Sequence, residues 1–365
     1  MKIAILGTRG IPNHYSGFEQ FAEFFSVFLV KEGHNVWVYN SHNHLYQEKT
    51  FHGVNIIHQF DPEYKLGTFG QFIYDLNCII DSRKRNFDII LQLGYTSNTI
   101  WHWLLPNKPI IISNMDGLEW KRSKYSPLVR RFLKYAEKLA VKTSDFLVAD
   151  SIGIQNYIFK EYNVESEFIA YGAELFDSPN IDVLEQYNVE ELNYNILIAR
   201  FEPENNLEMI LDGVSLSEDK TTFLVVGRHD SNKFGAYLKN KYKNSSNIRF
   251  VGGIFNLEHL NNLRYYSKLY FHGHSVGGTN PSLLEAMASK ALIIANNNEF
   301  SKSILEDNSF YFDNKDDVKS ILENVDKKQN TSKINNCYSK INNEYRWEII
   351  NNKYLNFFNE CIKHS

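Results

Sequence analysis

The 365-residue chain has little cysteine: Cys78, Cys337 and Cys361 lie far apart and show no paired spacing. This excludes a disulfide framework and is typical of reduced thiols in a cytosolic protein. No apolar run reaches the ~18 residues that a membrane-spanning helix needs. A strand pattern begins at Lys2, so we expect no signal peptide. The formal net charge of −4 lacks the basic surplus of a general nucleic-acid binder.

Two ligand-binding motifs are also missing. The first strand-to-helix turn, residues 7–12, lacks the Gly-x-Gly-x-x-Gly spacing of a dinucleotide site. The second strand ends in Tyr39-Asn40 in place of the acid that would bind an NAD ribose, which argues against an oxidoreductase. No Asp-x-Asp occurs, and His272 and His274 have no third ligand at a useful spacing. We therefore expect no metal site.

What the chain does contain is an alternation of strand and helix patterns. Strands are predicted at 3–6, 35–39, 88–93, 110–113 and 146–149, with a helix at 18–32. A second series of strands is predicted at 195–199, 221–226, 248–251, 269–271 and 292–295, with final helices at 316–325 and 333–363. Such alternation predicts parallel sheets with helices on both faces, and the length fits two domains.

The fold class is therefore expected to be α/β, with two Rossmann-like domains that face each other across a cleft. We place the first domain at residues 1–176 and the second at 194–343. The polar, poorly periodic segment 177–193 is predicted to be the linker, and residues 344–365 a final helix.

The segment 272–288 carries the most specific chemistry in the sequence. A strand enters a Gly-rich turn, after which Asn280 is predicted to cap a helix that begins at Pro281. Such a helix start, with the hydroxyls of Thr279 and Ser282 beside it, suits a phosphate. Glu285 would repel a phosphate, but it suits a pair of sugar hydroxyls such as those of ribose. The pattern indicates a nucleoside diphosphate pocket; a plain loop that enters a helix is the alternative.

Residues 272–286, HGHSVGGTNPSLLEA, resemble the nucleotide-sugar signature of retaining, glycogen-synthase-like glycosyltransferases, which have the GT-B fold. That family usually has two glutamates eight positions apart; Glu285 matches the second, but the first would fall at Gly277. The departure is shared by a subgroup that resembles bacterial capsule and exopolysaccharide rhamnosyltransferases. Its other marks match Gly-Thr-Arg-Gly-Ile-Pro (7–12) and Asp-Gly-Leu-Glu-Trp-Lys-Arg (116–122).

The resemblance implies an activity. It implies transfer of rhamnose from dTDP-rhamnose to a lipid-diphosphate-linked sugar at the inner face of the cell membrane, without a metal or other cofactor. The first domain would face the acceptor and the membrane, and the last helix would pack back on it. Two alternatives stay open: a nucleotide-sugar epimerase of the same fold, and an inactive sugar-nucleotide-binding partner, which Gly277 and Asn205 suggest. A homodimer also stays open.

The resemblance also implies the site residues. The family places an Arg and, five positions later, a Lys on the donor diphosphate; here these positions are Arg200 and Asn205, so one cation is missing. Ser16 stands where the family often has a glycine. The expected catalytic residues are Asp116, Arg200 and Glu285. The expected donor-binding residues are Gly10, Gly17, Arg200, Asn205, Gly227, His274, Gly278, Thr279, Asn280, Ser282, Leu284 and Glu285.

Residues 121–142 form a basic segment with eight Lys or Arg and one Glu. A helix from Pro127 would carry an apolar face and a basic face, which suits an anionic membrane at roughly 1 kcal/mol per cation. An ordinary solvated helix is the alternative. The residues expected to face the acceptor or the membrane are Glu119, Lys121, Arg122, Arg131, Lys134 and Lys138.

Overall fold

The structure is a computed structural model that describes residues 1–14, 17–122, 125–276 and 278–364. The chain divides into two compact units. The first spans Met1–Lys121, Tyr125–Gly172 and Trp347–Ser365, while Arg122 and Ala173–Arg346 belong to the second. Ser16 and Gly277, two positions at which the sequence departs from the family it resembles, lie outside the described residues.

The first unit is built on an eight-stranded sheet. Its strands are β1 (Lys2–Leu6), β2 (Asn35–Ser41), β3 (Thr50–Phe51), β4 (Val54–Gln59), β5 (Ile89–Leu93), β6 (Ile110–Asn114), β7 (Phe146–Ala149) and β8 (Glu167–Phe168). They pair in the order β3-β4-β2-β1-β5-β6-β7-β8, parallel apart from β3 with β4. Ile3, Ala4 and Ile5 are all fully buried, as expected for a parallel strand that is covered on both faces.

Helices cover this sheet. They are α1 (Gly17–Lys31), α2 (Glu63–Leu66), α3 (Thr68–Ser82), α4 (Pro127–Thr143), α5 (Ile152–Tyr162) and the C-terminal helix (Trp347–His364), with 3-10 turns at Thr99–Leu104 and Glu119–Lys121. The C-terminal helix packs on α1, with the rings of Phe21 and Tyr354 4.8 Å apart and those of Phe24 and Trp347 stacked at 4.8 Å. The last helix therefore belongs to the first unit, as the resemblance implied.

The second unit contains a six-stranded sheet. Its strands are β9 (Tyr194–Ile198), β10 (Thr222–Val226), β11 (Ile248–Gly252), β12 (Tyr270–His272), β13 (Ile293–Asn296) and β14 (Phe310–Phe312). They pair in parallel in the order β11-β10-β9-β12-β13-β14. The helices are α6 (Leu207–Leu216), α7 (Lys233–Lys241), α8 (Leu257–Tyr266), α9 (Pro281–Ala288), α10 (Glu299–Leu305), α11 (Lys315–Asn324) and α12 (Thr331–Lys340). The α/β prediction with two Rossmann-like domains is confirmed.

The segment 177–193 differs from the linker that its composition suggested. Ile181–Tyr187 form a 3-10 helix, in which Val183 and Leu184 are buried. The backbone N–H of Asn180 donates to Asn262 Oδ1 at 2.7 Å. This segment is part of the second unit, because two apolar side chains in a polar stretch are enough to anchor it.

None of the described helices is long and apolar enough to cross a membrane.

Candidate functional site

The second sheet brings two loops together at the carboxyl ends of its central strands. β9 and β12 are neighbours, and the chain continues from β9 to β10 on one side and from β12 to β13 on the other. Ser275 Oγ, in the loop after β12, donates to the carbonyl of Glu204, in the loop after β9, at 2.7 Å. Asn206 Nδ2 donates to the Gly273 carbonyl at 2.9 Å. Open α/β sheets bind their ligands at such a change of direction.

Arg200 is presented by the loop that follows β9. Its side chain is exposed, whereas Asn205 in the same loop is only 3 % exposed. Asn205 Nδ2 donates to the Arg200 carbonyl at 2.8 Å. A neutral amide can be buried once it is hydrogen-bonded, and here it shapes the loop that carries Arg200; a contact of Asn205 with the donor stays a prediction.

His272 and His274 stack, with their ring centroids 4.5 Å apart. Burial, followed by the charge of Arg200, lowers the pKa of His274 to about 3. Burial and the neighbouring His274 also lower the pKa of His272 well below its usual value. Both rings are therefore neutral near pH 7. They line a small pocket, to which Asn280, Leu283 and Phe300 also contribute.

Helix α9 begins as the sequence predicted, with Pro281 in its first turn and Asn280 as its cap. Asn280 Oδ1 accepts from the Ser282 N–H at 2.9 Å, and its carbonyl accepts from the Leu283 N–H at 3.0 Å. These two N–H groups are already hydrogen-bonded, so the helix start offers a phosphate fewer donors than expected. The side chain of Leu284 is fully buried, and its assignment to the donor site stays a prediction. Thr279 is also buried, and Gly278 lines the pocket.

Glu285 lies one turn inside α9, and a buried arginine holds it. Its Oε2 is 2.7 Å from Arg264 Nη2, and the two side chains are 15 % and 1 % exposed. Sequence reasoning missed Arg264. It stands on helix α8, outside every motif, and no local pattern indicates that an arginine there is buried.

At two of the expected donor-site glycines, Gly10 and Gly227, contacts within the protein explain why the residue is a glycine. Gly10 has a φ of 125°, and a Cβ there would lie 2.3 Å from Asn40 Cγ. The N–H of Gly10 donates to Thr8 Oγ1 at 2.7 Å, so it is engaged within the loop. Gly227 has a φ of 152°, and a Cβ would lie 2.2 Å from the Ala199 carbonyl oxygen. Gly17 is the first residue of α1.

Asp116 follows β6 in a constrained turn. Its φ of 36° is in the left-handed region that residues other than glycine adopt uncommonly. Its N–H donates to Asn114 Oδ1 at 3.0 Å, and Tyr95 Oη donates to the Gly117 carbonyl at 3.1 Å. The turn is thus fixed from both sides, with the Asp116 side chain half-buried at the carboxyl end of the strand.

The basic helix α4 differs from the sequence prediction at Lys134. Lys134 Nζ is 3.0 Å from Glu137 Oε1 and 3.0 Å from Glu161 Oε1, and it also contacts Tyr157 Oη. Glu137, which is 1 % exposed, also accepts from Trp120 Nε1 at 2.9 Å. Lys134, whose side chain is 31 % exposed, is therefore held in a network of ion pairs and hydrogen bonds, and its place at the membrane stays a prediction.

The other cations of the basic segment have different surroundings. Arg131 and Lys138 are exposed on α4. Lys121 is also exposed, near the ring of Trp120, and Glu119 is half-buried in the same short turn. Arg122 is half-buried and belongs to the second unit.

In the described part of the chain, no group of three or more His, Cys, Asp or Glu could hold a metal ion.

The two Rossmann-like units are those of the GT-B fold that solved glycosyltransferase structures show. Residues 183–343 match the family described as Glycosyl transferases group 1. Residues 1–174 match a domain of unknown function, DUF1972. No protein of curated function matches the chain.

Solved structures match nearly the whole chain. A sucrose-phosphate synthase from Thermosynechococcus elongatus aligns with a TM-score of 0.80 at 14 % identity, covering 100 % of both chains. Anabaena HepE in complex with UDP and glucose aligns at 0.75 and 14 %, covering 99 % of this chain and 100 % of that one. WaaG, a glycosyltransferase involved in lipopolysaccharide biosynthesis, aligns at 0.70 and 14 %, covering 97 % and 98 %. At this identity the likeness shows the fold.

Proposed function

We propose that the protein transfers a sugar from a nucleoside diphosphate to an acceptor. The observation that carries the proposal is the hydrogen-bonded pair of loops after β9 and β12, which puts the Arg200 loop beside the segment that leads to Glu285. A guanidinium suits a diphosphate, and a carboxylate suits the hydroxyls of a pentose. The family match of residues 183–343 supports this activity.

The chemistry follows from these groups. The bond between the sugar's anomeric carbon and the diphosphate oxygen breaks, and Arg200 stabilises the charge that develops on the leaving group. The acceptor oxygen bonds to the same face of the anomeric carbon, and its proton passes to the departing phosphate oxygen. Asp116 would bind a sugar or acceptor hydroxyl. This front-face route needs neither a covalent nucleophile nor a metal.

The donor in this proposal is dTDP-rhamnose. Support comes from residues 272–286 and from the two further segments, 7–12 and 116–122, that resemble bacterial capsule and exopolysaccharide rhamnosyltransferases. The acceptor is a lipid-diphosphate-linked sugar, and the product is a repeat unit of a surface polysaccharide.

An exposed apolar surface on the first unit supports a place at the anionic inner face of the cell membrane. Leu66, Phe69, Trp103 and Leu128 are 49 %, 65 %, 62 % and 75 % exposed. Phe72 links α3 to α4, since its ring lies 6.1 Å from that of Phe69 and 5.7 Å from that of Phe132 (centroids). The exposed cations are Lys65 on α2 and Arg131 and Lys138 on α4, the two helices that carry Leu66 and Leu128. Apolar side chains flanked by cations suit an anionic lipid surface.

The test is incubation with dTDP-rhamnose, with and without a lipid-diphosphate-linked sugar. Release of dTDP that requires the acceptor, together with a glycosylated lipid, is the expected result. An isomerised donor without transfer would identify an epimerase. Binding of dTDP without either reaction would identify an inactive binding partner, and both of these outcomes would overturn the proposal.

A further inference from the structure

A buried arginine beneath helix α9 belongs to none of the sequence motifs. Arg264, on α8, is 1 % exposed and makes three side-chain contacts through its guanidinium. Nη2 lies 2.7 Å from Glu285 Oε2 and donates to Ser282 Oγ at 3.0 Å, and Nη1 donates to Asn261 Oδ1 at 2.8 Å. One guanidinium thus joins the first turn of α9 to the carboxylate one turn further along.

Ser282 is itself fixed, which makes this contact rigid. Tyr270 Oη lies 2.9 Å from Ser282 Oγ, and the Ser282 N–H is bound by Asn280. The guanidinium carbon of Arg264 also lies 5.9 Å from the centre of the Tyr270 ring. Removing a cation from water is costly unless it is paired and hydrogen-bonded, so Arg264 is stable here only while Glu285 keeps its position.

Glu285 is more exposed than Glu137, an acid that only pairs with groups inside the protein. Glu137, which pairs with Lys134 in the first unit, is 1 % exposed and accepts from several donors within the protein. Glu285 keeps 15 % of its side-chain surface exposed although its partner is buried. The Glu285 side chain is therefore held by a buried cation and still reaches the protein surface.

We propose that Arg264 is a positioning residue that aims Glu285 at the pentose hydroxyls of the nucleotide. The inference rests on the proposed function. Arg264 also offsets the negative charge of Glu285, which would otherwise repel a diphosphate bound nearby. A lysine would keep the charge but lose the planar fork that reaches Ser282 and Glu285 together.

The experiment measures how strongly the protein prefers a nucleotide with a free pentose hydroxyl over the analogue that lacks it. Calorimetry gives the dissociation constants of thymidine diphosphate and its 3′-deoxy analogue, and of uridine diphosphate and its 2′,3′-dideoxy analogue. For whichever of the two nucleoside diphosphates binds, the wild type should prefer the hydroxyl-bearing ligand by about tenfold or more. Glu285→Gln and Arg264→Met should each reduce this preference towards one. The double variant should show no further loss.

Arg264→Lys should recover part of the preference, because it restores the charge without the fork. It also carries the test if Arg264→Met does not fold. Lys268→Met, which removes a cation 2.7 Å from Asp219 in the same unit, is the matched control and should keep the wild-type preference. An unchanged preference in the folded Arg264 variants would overturn the positioning role. Failure of the wild type to bind any of these ligands would instead overturn the proposed function.

Discussion

Asn114 and Tyr354, which are 240 positions apart in the chain, share a hydrogen bond: Asn114 Nδ2 donates to Tyr354 Oη at 2.9 Å. Both residues are buried in the first unit, with Tyr354 on the C-terminal helix and Asn114 at the end of β6. Asn114 Oδ1 also accepts from the Asp116 N–H. The C-terminal helix therefore supports the turn that carries Asp116.

Tyr354→Phe should destabilise the first unit by about 1–3 kcal/mol, because a buried amide loses its hydroxyl partner. Denaturant unfolding measures the change. Tyr135→Phe is the matched control, since Tyr135 is 56 % exposed, and it should change stability by less than about 0.5 kcal/mol. Equal stability of wild type and Tyr354→Phe would show that this contact contributes nothing.

Glu285→Ala should weaken binding of thymidine diphosphate by about 1–3 kcal/mol, since the 3′-hydroxyl of its deoxyribose would lose its partner. Calorimetric titration measures it. The control is Glu299→Ala, an exposed glutamate of the same unit at the start of α10, which should bind as the wild type does. If both variants bind equally well, Glu285 is not part of the pocket.

Turnover should persist in excess chelator, because the proposal assigns the diphosphate charge to Arg200 and requires no metal. The measurement is release of nucleoside diphosphate with and without a chelator, followed by addition of magnesium or manganese. Activity that is lost in the chelator and restored by the metal would contradict this assignment.

Changing Arg131 and Lys138 together to Glu should release the protein from anionic vesicles, because both side chains are exposed on α4. Binding by the wild type should weaken with salt, since surface attraction is screened within ~8–10 Å at physiological ionic strength. Turnover on a short, water-soluble acceptor should stay close to normal. Vesicle sedimentation measures binding, and equal sedimentation of variant and wild type would mean that α4 is merely solvated.

Lys134→Met should affect stability and not vesicle binding, in contrast to the joint change of Arg131 and Lys138. It leaves the buried Glu137 without its cation, so we expect lower stability and little change in vesicle binding. Loss of vesicle binding by a folded Lys134→Met variant would return Lys134 to the membrane face.

Asp75 should make stability depend on pH. Burial raises its pKa to about 7, although Ser97 Oγ donates to its Oδ2 at 2.5 Å. Its pKa in the unfolded chain is near 4, so the folded state binds the extra proton between these values. The wild type should therefore lose stability relative to Asp75→Asn as pH rises from about 4 to about 7, by up to about 1.4 kcal/mol per pH unit. Parallel unfolding curves of the two proteins across this range would contradict the shift.

Several elements could be predicted because their signals are local. The strand predicted at 110–113 is Ile110–Asn114, and the helix start at Pro281 with its Asn280 cap is present. Apolar periodicity and capping chemistry act over a few residues, so they can be read before any tertiary contact is known.

Other assignments depended on contacts that no local pattern contains. The basic residues of α4 have the expected spacing, but Glu137, Glu161 and Tyr157 hold the Lys134 ammonium in a network that the spacing does not predict. In the sequence, Asn205 stands where the family that the chain resembles has a Lys. In the structure it is buried and its amide donates to the loop that carries Arg200. The linker prediction failed in the same way, because burial of Val183 and Leu184 depends on the neighbouring structure and not on their polar flanks.

The sequence by itself determined the two parallel-sheet units and the capped start of α9, because strand, turn and cap follow one another along the chain. Only the tertiary structure decided which side chains act together. Arg264 meets Glu285 from a different helix, and Asn114 meets Tyr354 across 240 positions. Such pairs form only when distant segments pack and exclude water, so their partners cannot be read from spacing.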